Sequence, residues 1–252
     1  MTLQLDGVSK SLGGFQVVSG ISLSVPLSGL TGLIGPNGAG KSTLFALISG
    51  FQSADEGEIR LGAQKLDGLT PEKRARLGLA RTFQVPRPFG HLTVRENLAT
   101  AAQNQSGERL FDTFFRIGKV RAEERRIFER ADRIIEFLKL GPVAAKKAGG
   151  LSGGQRKLLE LGRALMMEPR YILLDEPFAG VNPVLIEELS ERIREAGARG
   201  IGFLIVEHNL SSLARLVGHL LVMDRGRLIA EGRPDAVLDD PTVQEAYMGG
   251  VT

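Results

Sequence analysis

The chain has no cysteine among its 252 residues. That excludes a disulfide framework, a thiolate metal site and a cysteine nucleophile, and it fits a reducing compartment. No apolar run approaches the roughly 18 residues that a membrane-spanning helix needs. The opening MTLQLDGVSK lacks the basic-then-apolar pattern of a secretory signal. The expectation is a chain soluble by itself, so any membrane role comes through a partner. No excess of one charge is present either: 32 Lys and Arg face 29 Asp and Glu, a net +3. Where basic residues cluster, as in RAEERRIFERADR at 121–133, acids are interleaved. That reads as a solvated helix face with paired charges, and no nucleic-acid partner is expected. Internal repeats and low-complexity segments are absent. The apolar share, 42%, is that of an ordinary globular protein, and the length allows one large domain or two small ones.

What is present is an α/β pattern interrupted once. Short β-like runs open the chain at Leu3 to Val8, Gln16 to Val18 and Ile21 to Val25. Leu30 to Ile34 is an apolar run that stops at glycine, and Lys41 to Ile48 turns helical. Turn signals follow at Asp55-Glu56-Gly57 and Gly62-Ala63. From about Thr93 to Leu140 apolar residues recur at helical spacing, for example Ile127, Ala131, Ile134, Ile135 and Leu138. This predicts a helical subdomain entered through Val85-Pro86-Arg87-Pro88 and left through Gly141-Pro142 and Gly149-Gly150. The alternation then resumes: helix over Gln155 to Met167, strand over Tyr171 to Leu174, helix over Leu185 to Ala198 and strand over Ile201 to Val206. A hairpin follows, Leu220 to Met223 and Arg227 to Ala230. The predicted fold class is α/β with a mainly parallel sheet, an N-terminal antiparallel β part and an inserted helical subdomain. In domain terms, residues 1–252 form a single domain, with its core at 1–84 and 160–252 and the helical subdomain at about 85–159.

Gly35-Pro36-Asn37-Gly38-Ala39-Gly40-Lys41-Ser42-Thr43 matches the P-loop pattern G-x-x-x-x-G-K-[ST] in its strand–loop–helix context. The glycines let backbone N–H groups face phosphate oxygens, and the helix that follows points its positive end at the same anion. Lys41 supplies a charge for the β- and γ-phosphates, and the Ser42 hydroxyl is a Mg²⁺ ligand candidate. Four apolar residues, Tyr171 to Leu174, lead into Asp175 and Glu176, a Walker B strand end. Asp175 is placed to hold Mg²⁺ and Glu176 to orient or deprotonate the attacking water.

Leu151-Ser152-Gly153-Gly154-Gln155 opens a helix some twenty residues before that strand end. A serine hydroxyl, two glycines and a helix N-terminus make a second anion site. Two phosphate-binding loops on one chain suggest a nucleotide sandwich, in which the second loop serves a nucleotide on another subunit. An ordinary capped helix with a Ser-Gly-Gly start is the alternative.

These strings resemble the ABC transporter ATPases over nearly the whole chain. The resemblance implies MgATP as cofactor and substrate, ATP hydrolysis, and three further roles. Gln84 matches the Q-loop glutamine that contacts Mg²⁺ or water. His208 matches the switch histidine that approaches the γ-phosphate. Ala179-Gly180-Val181-Asn182 matches the D-loop. Two departures stand out. The usual aromatic residue that stacks on adenine is Leu12 by register, with Phe15 nearby as a substitute, and Asn182 stands where many relatives carry aspartate.

Ala80-Arg81-Thr82-Phe83-Gln84, Leu92 to Leu98, Ala179 to Pro183, Val206-Glu207-His208-Asn209, the ending Glu245 to Gly249 and the long basic stretch Asn104 to Ile127 resemble the branched-chain amino acid importer ATPases. That resemblance implies transmembrane permease subunits, a second ABC ATPase in a homo- or heterodimer, a periplasmic solute-binding protein acting indirectly, and a peripheral place on the cytoplasmic face of the inner or plasma membrane. The permease is expected near Val85 to Glu96, with Pro86, Pro88 and Phe89 in contact. The rival readings are a soluble ABC ATPase of cluster assembly, a DNA- or ribosome-bound ABC protein, and a P-loop kinase. The last would lack Leu151 to Gln155.

Overall fold

The computed structural model describes residues 2–26, 28–82, 87–103, 105 and 117–248. Contacts divide the chain into two compact units. The first comprises Met1–Gln84, Arg170–Ala179 and Ile193–Thr252, and the second comprises Val85–Pro169 and Gly180–Arg192.

The strands described belong to the first unit and form two sheets. One is antiparallel, in the order β2-β1-β4-β5, from β1 (Thr2–Leu12), β2 (Phe15–Pro26), β4 (Glu56–Leu61) and β5 (Gln64–Lys65). Its β1 and β2 alternate buried and exposed residues, as a sheet with one wet face does. The other sheet runs β10-β9-β3-β8-β7-β6, from β3 (Gly29–Ile34), β6 (Leu79–Arg81), β7 (Tyr171–Asp175), β8 (Gly202–Val206), β9 (His219–Asp224) and β10 (Arg227–Gly232). It is parallel except for β10, which returns antiparallel on β9. Every residue of β7 and β8 is buried, which explains their unbroken apolar runs.

Helix α1 (Lys41–Ser49) follows β3 and lies in the core. Leu44, Phe45, Leu47 and Ile48 are fully buried with residues of both sheets, among them Leu5, Ile21 and Ile59 from one and Leu33, Leu173 and Leu204 from the other. Helix α2 (Pro71–Arg76) carries Arg74, whose guanidinium Nη1 donates to the carbonyls of Leu47 at 2.6 Å and Ile48 at 2.7 Å. It thereby caps acceptors left over at the end of α1.

The second unit is helical among its described residues: α3 (Val94–Ala99), α4 (Ile117–Phe137), α5 (Gly153–Met166) and the first part of α6 (Pro183–Ala198). At Gly162 of α5 an added Cβ would stand 2.8 Å from both Leu98 and Leu138, so glycine lets three helices meet. Later come α7 (Leu210–Leu216), α8 (Pro234–Leu238) and α9 (Pro241–Met248), all in the first unit.

Several boundaries differ from the sequence reading. Gln16 to Val18 and Ile21 to Val25 belong to one strand, β2; the irregularity between them is a register shift against β1. Residues Glu56 and Gly57, expected in a turn, begin β4. Helix α5 starts at Gly153, because Ser152 caps it, and lies wholly in the second unit.

Candidate functional site

Parallel strands deliver their C-terminal ends to one edge of a sheet, where loops collect. Here β3, β8 and β7 are neighbours. Gly35, Glu207-His208 and Glu176 emerge from their ends in that order.

After β3 the chain turns through Gly35, Gly38 and Gly40, with φ of 152°, 81° and 95°. A Cβ on Gly35 would lie 2.0 Å from the Met223 carbonyl oxygen, and one on Gly40 would lie 2.5 Å from that of Val17. Gly38 has nothing within 4 Å, so its glycine is needed for the left-handed backbone alone. Asn37, Gly38 and Ser42 are exposed, while Ala39, Gly40 and Lys41 are buried and Pro36 and Thr43 are half-buried. The Lys41 ammonium Nζ donates to the carbonyls of Gly35 at 2.7 Å and Pro36 at 2.9 Å. Burial holds its pKa below the ordinary lysine value, and the charge of Glu176 pulls the other way. The loop is braced from the C-terminal third of the chain. The Gly226 N–H donates to the Ala39 carbonyl at 3.1 Å. The Tyr247 hydroxyl of α9 lies close to the Gly35 backbone, beside a cleft of about 390 Å³ that also meets Asn37, Arg225 and Glu245.

At the end of β7, Asp175 is buried and Glu176 turns out of the strand with φ 49°. That left-handed backbone is unfavourable for a residue with a Cβ, and such conformations cluster at functional sites. Its N–H donates to the Val206 carbonyl at 2.9 Å, which ties the ends of β7 and β8 together. The Glu176 Oε1 lies 3.0 Å from His208 Nε2. A carboxylate oxygen can only accept, so the ring nitrogen carries the hydrogen. His208 stands two residues beyond the last residue of β8, Val206.

The second loop lies in the other unit. The Ser152 hydroxyl oxygen accepts from the Gln155 N–H at 3.3 Å, and the Gln155 Oε1 accepts from the Ser152 N–H at 3.0 Å. This reciprocal capping box holds the start of α5. The two glycines differ in their surroundings. A Cβ on Gly154 would meet Leu185 Cδ1 at 2.2 Å, whereas one on Gly153 meets nothing nearer than the Gly180 carbonyl oxygen at 3.7 Å. Packing therefore requires the glycine at 154, and nothing among the described residues requires the one at 153. Asn182 Oδ1 accepts from the Leu185 N–H at 3.0 Å, an N-cap for α6 that aspartate would make equally well.

Gln84 lies outside the described residues, as do Phe83, Val85, Pro86, Gly249 and most of 104–116. Phe89 is 46% exposed. Its N–H donates to Asn97 Oδ1 at 2.8 Å, and its carbonyl accepts from Asn97 Nδ2 at 3.0 Å.

Three contributors escaped the sequence reading. Arg81 Nη2 donates to Asp175 Oδ2 at 3.0 Å. Glu207 is buried beside His208. Tyr247 reaches the P-loop. Arg81 and Glu207 were legible only as parts of family-like strings, and Tyr247 only as part of the chain's ending.

The ABC transporter family profile matches residues 18–179. The profile of the branched-chain amino acid ATP-binding cassette transporters matches residues 227–251. The chain is 42% identical over 247 residues to the branched-chain amino acid transport ATP-binding protein LivG of Archaeoglobus fulgidus, covering 98% of this chain and 95% of that one. It is 34% identical over 247 residues to the lipopolysaccharide export system ATP-binding protein LptB of Acidithiobacillus ferridurans, covering 98% and 96%. Among solved structures, the ADP conformation of an ATP-binding cassette of an ABC transporter is similar with a TM-score of 0.86 at 42% identity, over 99% of each chain.

Proposed function

This chain belongs to the ABC transporter family of ATP-binding cassettes and is an ATP hydrolase, and on that premise we propose that it powers an importer of branched-chain amino acids or a related small solute. The observation that carries the importer reading is the match of residues 227–251 to the branched-chain cassettes, together with LivG-like identity along the whole chain. The 34% identity to LptB supports a second reading, in which the same ATPase drives export.

In the proposed cycle, Gly35 to Thr43 wrap the phosphates and Lys41 turns its charge from the two loop carbonyls to the β- and γ-phosphates. The donors fit Mg²⁺: one hydroxyl, Ser42, and one carboxylate, Asp175, are what a cation that arrives on phosphate oxygens needs. The ion would supply charge neutralisation at the phosphates. Gln84 is assigned to the same site from its string alone. Glu176 takes the proton of the attacking water, and His208 holds Glu176 in place and faces the γ-phosphate. Ser152, Gly153 and Gly154 of a second ATPase close over that phosphate, so each site is completed in a dimer. Positioning and charge stabilisation do most of the work, as in phosphoryl transfer generally.

No helix among the described residues is long and apolar enough to cross a membrane. The reading therefore requires transmembrane permease subunits, docked near Phe89, and a peripheral place on the cytoplasmic face. A periplasmic solute-binding protein would choose the cargo. The test is purification of the native complex from detergent-solubilised membranes. Two polytopic permeases with a second ATPase, and ATPase stimulation by a binding protein loaded with branched-chain amino acid, are expected. Permeases without solute stimulation would favour export, and only soluble partners would overturn the transport role.

A further inference from the structure

Glu207 is a buried carboxylate that none of the steps above uses. It directly follows β8 and is 3% exposed. Its Oε1 accepts from the Phe178 N–H at 2.5 Å. Its Oε2 accepts from the N–H groups of His208 at 3.1 Å and Asn209 at 3.5 Å. Phe178 lies two residues past Glu176, in the turn that leaves β7, and His208 is the residue that meets the Glu176 carboxylate. One side chain therefore ties together the two segments that carry the pair.

A carboxylate suits this task, because both oxygens accept and neither donates. An apolar side chain of the same size would leave buried backbone N–H groups without an acceptor. The arrangement has an electrostatic cost. Burial pushes the Glu207 carboxyl above its ordinary pKa, the charge of Glu176 adds to the push, and the three N–H groups oppose it. Glu207 is too enclosed to meet a phosphate or water at the reaction centre. What it controls is where two loops lie relative to each other.

We propose that Glu207 is a positioning residue for hydrolysis: it clamps the turn after β7 to the loop after β8 and so sets the separation of His208 and Glu176. The proposal rests on the reading of that pair as the hydrolytic pair. The clamp acts on the pair and not on the P-loop, so its loss falls on turnover and spares nucleotide binding. A generally loosened fold would damage both.

The experiment uses the full-length chain and four forms: wild type, Glu207→Gln, His208→Ala and the double variant. Glutamine keeps the size and one acceptor oxygen but presents an NH₂ group to at least one backbone donor. Expected are a fall in kcat of about tenfold or more and an ATP Kd within about twofold of wild type. On the His208→Ala background the same substitution should change turnover by less than about twofold, since the clamp has lost its object. Amide NMR adds a reading that needs no turnover. The Phe178, His208 and Asn209 signals should shift in Glu207→Gln while P-loop signals stay. Were glutamine to prevent folding, Glu207→Asp, which keeps the charge but shortens the reach, takes its place with the same expectations. Wild-type kcat in the folded variant overturns the proposal, and so does a full additional loss on the His208→Ala background. Wild-type turnover in His208→Ala would remove the hydrolytic pair itself. Low turnover in His208→Ala with normal turnover in Glu207→Gln leaves the pair standing and sinks the clamp alone.

Discussion

Arg81 lies against the Asp175 carboxylate, with Nη2 donating to Oδ2 at 3.0 Å. The arginine ends β6 and the aspartate ends β7, so neighbouring strands bring them together. Arg81 Nη1 also donates to Ser49 Oγ at 3.0 Å at the far end of α1. Its guanidinium carbon lies 5.8 Å from the Phe45 ring centre and 5.7 Å from that of Phe51. The carboxylate assigned to Mg²⁺ thus already has a protein cation beside it.

The first prediction concerns that cation. The two side chains are only 13% and 10% exposed. Removing one partner of a buried pair costs about 3–5 kcal/mol, because the other charge stays buried. Arg81→Met should therefore lower the melting temperature of the nucleotide-free chain by several degrees. Mg²⁺ offers Asp175 a replacement charge, so adding the metal to ATP should raise the melting point of the variant more than that of wild type. Thermal melts in ATP with EDTA and in MgATP measure the difference. An equal metal increment in both proteins would show that Arg81 does not share Asp175 with the ion.

The two glycines of the second loop make a pair of opposite expectations. Gly154→Ala forces a Cβ onto Leu185 and should destabilise the chain by about 1–3 kcal/mol, with recovery when Leu185→Ala is added. Gly153→Ala meets no such obstacle at the first position of α5, so its melting point should hold or rise. Its ATP hydrolysis should nevertheless collapse, because in the proposed sandwich the methyl group would face the phosphate of the partner's nucleotide. Calorimetry with a turnover assay checks both, and normal turnover in Gly153→Ala would remove the ligand from this loop.

The sequence revealed the parts of this chain whose cause is local. The P-loop, the strand ending at Asp175 and the capped start of α5 each carry their own turn residues, caps and apolar runs. Strands β7 and β8 were plain because both faces are buried. Other features depend on distant partners and left no local mark. Strand β6 is three residues long and exists by pairing with β7. Arg74 looks like a surface helix charge until its guanidinium is found on the carbonyls of α1. Glu207 is one acid in a row of polar residues until Phe178 comes to it from 29 positions away. For the same reason the Gly153–Gly154 pair read as one feature, although only packing distinguishes the two roles.

Adenine binding gives a third prediction. Leu12 and Phe15 face each other across the Gly13-Gly14 turn. Both glycines have positive φ, 57° and 85°, as a tight two-residue hairpin requires. Directly opposed residues put their side chains on the same face of a sheet. Leu12 is 40% exposed and Phe15 is 78% exposed, so an aromatic ring stands beside the position at which the family resemblance implies one. Base stacking on an aromatic side chain contributes about 1–3 kcal/mol. Phe15→Ala should weaken ATP binding about tenfold and narrow the preference over GTP. Leu12→Ala should do much less, and exchanging the two residues should restore affinity. Unchanged ATP affinity in Phe15→Ala would place the base elsewhere.

The last prediction joins the C-terminal helix to the P-loop. Gly35 directly follows β3, and it has no room for a side chain, because the Met223 carbonyl oxygen fills the place of a Cβ. The Tyr247 hydroxyl lies close to its backbone, and at the other end of the loop the Ala39 carbonyl accepts from Gly226. Residues 226 and 247 both belong to the C-terminal third, so that part of the chain holds the phosphate loop at two points. Burial holds the Tyr247 hydroxyl above its ordinary pKa, and it stays protonated over the working range. Tyr247→Phe removes the hydroxyl and keeps the ring. The Gly35 backbone then loses a polar neighbour, at a cost of about 1 kcal/mol. The loop should bind ATP severalfold more weakly, with kcat at saturating ATP little changed, because the hydrolytic pair lies at the ends of other strands. Hydrogen exchange at the Gly35 amide gives the direct reading: it should quicken in Tyr247→Phe while the Lys41 to Ser49 helix stays protected. Unchanged Gly35 exchange would mean that the C-terminal helix merely rests beside the loop. Faster exchange with unchanged ATP affinity would mean that the loop is rigid enough without it.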